Sequence, residues 1–224
     1  MFNSTKKYIK NIYQCILLCL ICFYSIDTYA HQYPIGWDEL QSDDGWILIK
    51  ETDRVKIFNK EISVSPISAY RAEIISSINA DAIIHTAWDI EKAVEVFPNA
   101  YITSSGIYKK NNENQYTAFQ LFEVPFISPR LYQFNSIHLQ NSIHWVRTDT
   151  LGAEYNPEDI LLPPVNFGSW EVEKYDDKTK LIYKVCTDPG GKIPKWIVNM
   201  ANQKVLPQML IDLEQYAIKQ IESK

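Results

Sequence analysis

His138 and His144 flank a Gln140-Asn141 turn, and their types and spacing come closest to chemistry in this chain of 224 residues. Two imidazoles approach each other across such a turn if its loop has three residues. Nothing completes a metal site around them: the sequence has no His-x-x-x-His, Cys-x-x-Cys or carboxylate cluster. A Gly-x-Ser-x-Gly elbow is missing too, and Glu123 and Asp149 have no partner that the pattern identifies. Structural histidines are the expectation, with no catalytic residue and no metal. Cys186 sits in a run of Ile, Tyr and Val, which fits a buried small hydrophobe better than a nucleophile.

The elements around these residues divide the chain at residue 30. Lys6, Lys7 and Lys10 precede an apolar run from Ile12 to Tyr24, and Thr28-Tyr29-Ala30 offers small residues at a cleavage site. The run is shorter than the ~20 residues of a comfortable membrane span. Residues 1–30 are therefore expected to be a signal peptide, cleaved near Ala30, on an exported protein that is periplasmic or secreted. A retained anchor, or lipidation of Cys22 in Leu20-Ile21-Cys22, are the alternatives. Residues 31–224 are expected to form one monomeric domain. Cys15, Cys19 and Cys22 leave with the signal, so Cys186 has no internal disulfide partner. The formal net charge of −5 becomes more negative once the lysines of the signal are removed. An acidic domain without basic runs argues against nucleic-acid binding and against electrostatic docking on anionic lipid.

Secondary structure follows from periodicity. Residues 36–45 suggest a short helix before Trp46. Strand-like runs occupy Val55–Phe58 and Ile67–Ile75, and Asp81–Val96 reads as a helix stopped by Pro98. Strands are expected at Tyr101–Lys109, Tyr116–Val124, Leu131–Leu139, Ile143–Thr148, Phe167–Tyr175 and Leu181–Cys186. Asn111-Asn112, Gln140-Asn141 and Asp176-Asp177 mark turns. Gly190 and Gly191 turn the chain into a long helix started by Pro194 and ending near Ile221. On that helix Val198, Val205, Leu206, Met209, Leu213, Tyr216 and Ala217 form one stripe, with Asn202 in its middle. Glu214 falls among the polar residues opposite, and Pro207 should kink the helix near Gln203–Lys204. The stripe suits either core packing on a sheet or the roof of a lipid-sized cavity. The architecture is α+β: a curved antiparallel sheet wrapped around its last helix, leaving an internal hydrophobic cavity.

Several segments together resemble the START (StAR-related lipid-transfer) family. They are Tyr70-Arg71-Ala72-Glu73, Pro129-Arg130, Phe167-Gly168-Ser169-Trp170, and Asp188-Pro189-Gly190-Gly191 through Ile193-Pro194-Lys195-Trp196-Ile197-Val198-Asn199. The resemblance runs from about Gly45 to the end. It implies a helix-grip fold that encloses one hydrophobic ligand, such as a sterol or other lipid, without a cofactor. Sterol-binding members place an acid and an arginine inside the cavity, and those positions fall here on Gln120 and Ser136. Their neutral side chains suit a hydroxyl or carbonyl. The family's acid after Pro-Arg is replaced by Leu131, and both departures argue against cholesterol-type specificity. Its cavity-facing helix positions fall on Met209 and Leu213.

If Gln120 faces inward, strand alternation turns Ala118, Phe122 and Val124 the same way, and Ser136 selects Tyr132, Phe134 and His138. The expected ligand contacts are Gln120, Phe122, Phe134, Ser136, Asn202, Val205, Leu206, Met209 and Leu213, with ordinary interior packing as the alternative for each. Arg130 suits a lipid head group or a structural ion pair, and Arg71 an ion pair with Glu73. Trp170 and Trp196 are expected to pack beside the glycine turns. Leu161 and Leu162, with Pro163 and Pro164, form an apolar loop that is either folded onto its own domain or a lid opening at a membrane. The functional expectation is a carrier of one hydrophobic molecule making transient membrane contact. An enzyme of the same fold and a lipid-sensing module for a protein partner are the alternatives.

Overall fold

The computed structural model describes residues 32–149 and 160–223. Residues 1–31 carry the expected signal and residues 150–159 most of the long inter-strand gap, so those expectations lie outside the described residues. The segment Tyr33–Lys224 forms one compact unit.

Runs rich in β-branched and aromatic residues, separated by short polar turns, build a sheet of nine strands. These are β1 (Ile47–Glu51), β2 (Val55–Lys60), β3 (Ala69–Ser76), β4 (Ile102–Asn112), β5 (Gln115–Phe122), β6 (Arg130–Leu139), β7 (Ser142–Arg147), β8 (Val165–Tyr175) and β9 (Lys178–Asp188). Their spatial order is β1-β2-β3-β9-β8-β7-β6-β5-β4, and every neighbouring pair is antiparallel. Local hairpins make most of it, while β3–β9 is the one long-range pairing that joins the first three strands to the last six.

Among the described residues four α-helices accompany the sheet: α1 (Trp37–Gln41), α2 (Ala80–Trp88), α3 (Ala93–Val96) and α4 (Lys195–Glu222). The stretch expected as one helix over Asp81–Val96 is interrupted. Its N-terminus is capped by Asn79, whose side chain accepts from the Ala82 amide at 2.8 Å. Asp89 then leaves helical geometry (φ −77°, ψ 72°), a 3₁₀ turn at Ile90–Lys92 follows, and α3 resumes. This break lays Trp88 on the Tyr116 ring, 4.2 Å between centroids.

The last helix runs without interruption of its assignment through Pro207. Proline at 207 cannot donate to the carbonyl of Gln203, four residues earlier. Lys50 of β1 supplies the missing donor: its Nζ lies 3.0 Å from that oxygen. Leu206, Leu210, Leu213 and Ala217 bury against the sheet and α2 in the main core cluster. The expected polar face is only partly polar in its surroundings. Glu214 is buried and pairs with Arg54, and Asp212, also buried, accepts from Gln208 Nε2 at 2.7 Å and Asn99 Nδ2 at 3.4 Å. Pro194 caps α4, and Gly190 and Gly191 hold φ of 69° and 75°, the left-handed conformation that only glycine adopts at little cost.

Candidate functional site

Strand alternation decides which side chains meet inside. Gln120 and Phe122 from β5 and Tyr132, Phe134 and Ser136 from β6 point to the concave face, as two-residue periodicity requires. From α4, Asn202, Val205, Leu206 and Met209 face them. Between sheet and helix lies a cavity of about 300 Å³, at the small end of ligand-pocket sizes. Tyr101, Ile127 and Ala201 belong to its wall and are solvent-exposed, so the mouth lies between the β5–β6 loop and the first turns of α4.

Leu213 is placed differently from the expectation. It is fully buried in the core cluster and does not line the cavity, because one further turn of helix carries it past the open space and onto the packed side chains below. Leu161 and Leu162 also lie off this wall. Leu161 exchanges backbone bonds with Pro129 and Leu131, at 2.9 and 3.0 Å, and the Pro163 carbonyl accepts from Arg147 Nε at 2.8 Å. These bonds fix Leu161–Pro164 as a strap against β6, folded onto its own domain. Leu162 borders a separate pocket of about 10 Å³.

Apart from Arg130, the polar groups on the wall and just behind it are neutral. The Tyr116 hydroxyl donates to the Trp88 carbonyl at 3.2 Å, with Ser136 beside it. Burial pushes the Tyr70 phenol up to about 12, opposed by its neighbour Asn202. Burial likewise raises Tyr132, which sits next to Thr187, and Tyr183. Each of these phenols stays a neutral donor at physiological pH. Trp145 stacks on Tyr183 and Trp170 lies tilted against it, with centroids 5.5 and 4.3 Å away. Trp170 therefore forms cavity wall as well as packing. Trp196 is 65% exposed on α4 and stands outside the core clusters and the cavity wall.

The histidines do not meet. The β6–β7 turn has two residues, which pairs His138 with Ile143 and Ile137 with His144. Neighbouring register positions face opposite ways, so His138 packs on Trp88 at 5.2 Å while His144 contacts Tyr33 and Ser142, at 2.8 and 3.1 Å. Burial lowers the His138 pKa, favouring the neutral ring. Among the described residues no group of three His, Cys, Asp or Glu is placed to hold a metal ion. Cys186 is buried, and burial pushes its thiol up to about 12.

Arg130 opens β6 at the mouth and is 5% exposed. Its guanidinium donates to the Ser128 carbonyl and, at 3.5 Å, to the Gly190 carbonyl, while Nε has no partner. The expected ion pair is absent among the described residues. Arg71 does form one, 2.6 Å from Glu73 and 2.9 Å from Asp43.

Solved structures now give this geometry its context. The STAR-related lipid transfer protein of Xanthomonas axonopodis superposes with a TM-score of 0.67 at 19% identity, covering 78% of this chain and 99% of that one. Human STARD10 gives 0.70 at 16%, covering 86% and 83%. The fold is the START helix grip. More distantly, the di-domain aromatase/cyclase StfQ of the steffimycin pathway matches at 0.51 and 11%, covering 69% of this chain and 51% of that one. The sequence itself matches no family model and no curated protein.

Residue patterns missed several wall positions. Asn166, Thr187 and Pro189 line the cavity from β8, β9 and the turn after it; alternation carried back from Trp170 and onward from Tyr183 and Val185, past the expected strand ends, would have found the first two. Ile193 and Ile197 belong to the wall as well, and helical spacing back from Ala201 would have found Ile197.

Proposed function

We propose that this protein binds one hydrophobic ligand in the cavity between the sheet and α4 and transfers it without covalent change. The observation that carries this is the apolar, partly open cavity itself, at the position where the START fold holds space. The Xanthomonas axonopodis structure reported above carries lipid transfer in its name. Burial of ligand surface there contributes about 25 cal/mol per Å², and Gln120, Ser136 and Asn202 supply hydrogen bonds to neutral polar groups. A volume near 300 Å³ favours one single-chain or compact ligand over a two-chain phospholipid.

Membrane contact belongs to the same proposal. Phe126 is wholly exposed at the tip of the β5–β6 loop, and Trp196 and Met200 are exposed on the first turns of α4. Their sequence neighbours Ile127, Ile197 and Ala201 line the mouth. An apolar rim around an opening suits docking on neutral lipid during exchange. Among the described residues no helix is long and apolar enough to cross a membrane. We also propose export, with cleavage near Ala30, and a monomeric state for the mature domain.

Chemistry on a bound substrate is the second reading, supported by the aromatase/cyclase that shares the fold. It requires an acid, base or nucleophile on the wall. Among the described wall residues the ionisable groups are Arg130 and tyrosines, of which burial raises Tyr116, Tyr132 and Tyr183, and no carboxylate, histidine, lysine or cysteine stands among them, which favours binding over catalysis. Native mass spectrometry of the mature protein from its own host, followed by lipid extraction and a vesicle-to-vesicle transfer assay, tests the proposal. One retained lipid and measurable exchange are expected. An empty protein that exchanges nothing refutes it, retention without exchange favours a sensing module, and a converted product favours an enzyme.

A further inference from the structure

Arg130 is the cavity's one wall residue, among the described residues, that is charged at neutral pH. The chain has an excess of carboxylates, 27 Asp and Glu against 22 Lys and Arg, so a partner was available in composition. The other arginines all have one: Arg54 pairs with Glu214, Arg71 with Glu73 and Asp43, and Arg147 with Asp149. Arg130 is more buried than any of them, yet no carboxylate lies within salt-bridge distance among the described residues. Carbonyls of Ser128 and Gly190 satisfy part of its fork, and Nε is left unpartnered in the interior. A buried cation without a counter-ion costs several kcal/mol, and a planar guanidinium fits an oxyanion through two parallel hydrogen bonds.

Around this group the surface is shaped by backbone. A Cβ at position 191 would stand 3.4 Å from Arg130 Nη2 and 3.0 Å from the Leu161 side chain, so Gly191 keeps the approach to the guanidinium open. Tyr132 and Thr187 stand beside it on the wall, and Pro189 and Ile193 border the opening. Deeper in, Phe134, Trp170 and Met209 offer only apolar surface.

We infer that the ligand is an anionic amphiphile whose carboxylate or phosphate head docks on Arg130 at the mouth while its chain lies between Phe134 and Met209. This rests on the binding reading above and adds the charge and orientation of the ligand. Gln120 and Ser136 then meet the chain or a mid-chain hydroxyl, and the apolar rim receives the membrane from which the head group is drawn.

The test is displacement of Nile red, a neutral dye, from the mature protein by dodecyl phosphate, dodecanoate, dodecanol and inorganic phosphate. Both anionic amphiphiles should bind at least about tenfold more tightly than dodecanol, and inorganic phosphate alone should leave the dye in place. Arg130→Gln should lose the preference for the anionic amphiphiles over dodecanol, whereas Arg130→Lys should keep part of it. Equal affinity for all three amphiphiles overturns the head-group assignment and leaves the binding reading standing. Displacement by none of them overturns both. A preference that survives in Arg130→Gln removes Arg130 from the site, and displacement by inorganic phosphate alone makes it a free-phosphate site. The parent comparison needs no variant, so the assignment stays testable if Arg130→Gln fails to fold.

Discussion

Gly168→Ala is the most demanding test of how the cavity is framed. Gly168 lies in β8 opposite Trp145 of β7 and Val185 of β9. A Cβ there would stand 2.3 Å from the Lys184 carbonyl oxygen and 2.4 and 2.8 Å from two atoms of the Trp145 ring. Ordinary contact begins near 3.4 Å, so backbone and ring must each yield by about an ångström. The ring's inner side faces the cavity, and moving it inward breaks the 3.4 Å contact of its Nε1 with Asn166 Oδ1 and its stacking on Tyr183. Overpacking costs about 1–3 kcal/mol, and loss of a backbone hydrogen bond between β8 and β9 adds about 1 kcal/mol. For a domain of this size, 2–4 kcal/mol corresponds to a Tm lower by roughly 4–16 °C. Thermal melts and urea titrations of the mature protein measure this, and dye uptake reports the cavity. Trp145→Phe removes the clashing ring atoms and should recover part of the loss when combined with Gly168→Ala, giving a coupling beyond additivity. A Gly168→Ala protein within about 0.5 kcal/mol of the parent, with unchanged uptake, would refute the argument that this glycine holds Trp145 out of the cavity.

Other outcomes follow from the same geometry. Met209→Arg should leave the far-ultraviolet spectrum intact and abolish dye uptake, because the partly buried Met209 lines the cavity and an arginine there is costly to desolvate; normal uptake would show that this helix face borders no usable space. Phe126→Ser combined with Trp196→Ser should weaken sedimentation with neutral vesicles by at least about tenfold, from ~1.5–3 kcal/mol per inserted large side chain; unchanged sedimentation would exclude the rim as the docking surface. Cys186 should resist thiol reagents at pH 8 until the protein unfolds. Its folded pKa is raised from 9.0 to about 12, so its contribution to stability is complete below pH 9 and falls as pH rises towards 12; urea titrations across that range check the sign, and Cys186→Ala should flatten that part of the profile.

Alternation and turn residues made most of the sheet legible. β5, β6, β8 and β9 were expected within a few residues of their bounds, because each has a buried face that imposes period two. β1 was not anticipated: as an edge strand it leaves Ile47 and Leu48 exposed, 65% and 46%, so its pattern carries no buried face to detect. The Asn111-Asn112 turn was misplaced because β4 extends through Asn112 and turns at Glu113-Asn114. Of the candidate site, periodicity carried the stripe on α4, although Leu213 shares it without reaching the cavity, while alternation gave the wall positions on β5 and β6 only after the START resemblance had set Gln120 and Ser136 inward. Periodicity assigns a face but not how far along it the open space extends. What Arg130 meets could not be read from sequence, since a proline-arginine pair looks the same whether a carboxylate is folded against it or not.

The bond from Lys50 to Gln203 has a further meaning. Proline at 207 lies where α4 passes from the turns that roof the cavity, which end at Met209, to the turns sunk in the core, and the ladder there lacks a rung. A side chain from the outermost strand fills that gap, so the height of the roof is set from the sheet's far edge. Substitutions at position 50 can therefore retune what the cavity accepts while touching nothing inside it.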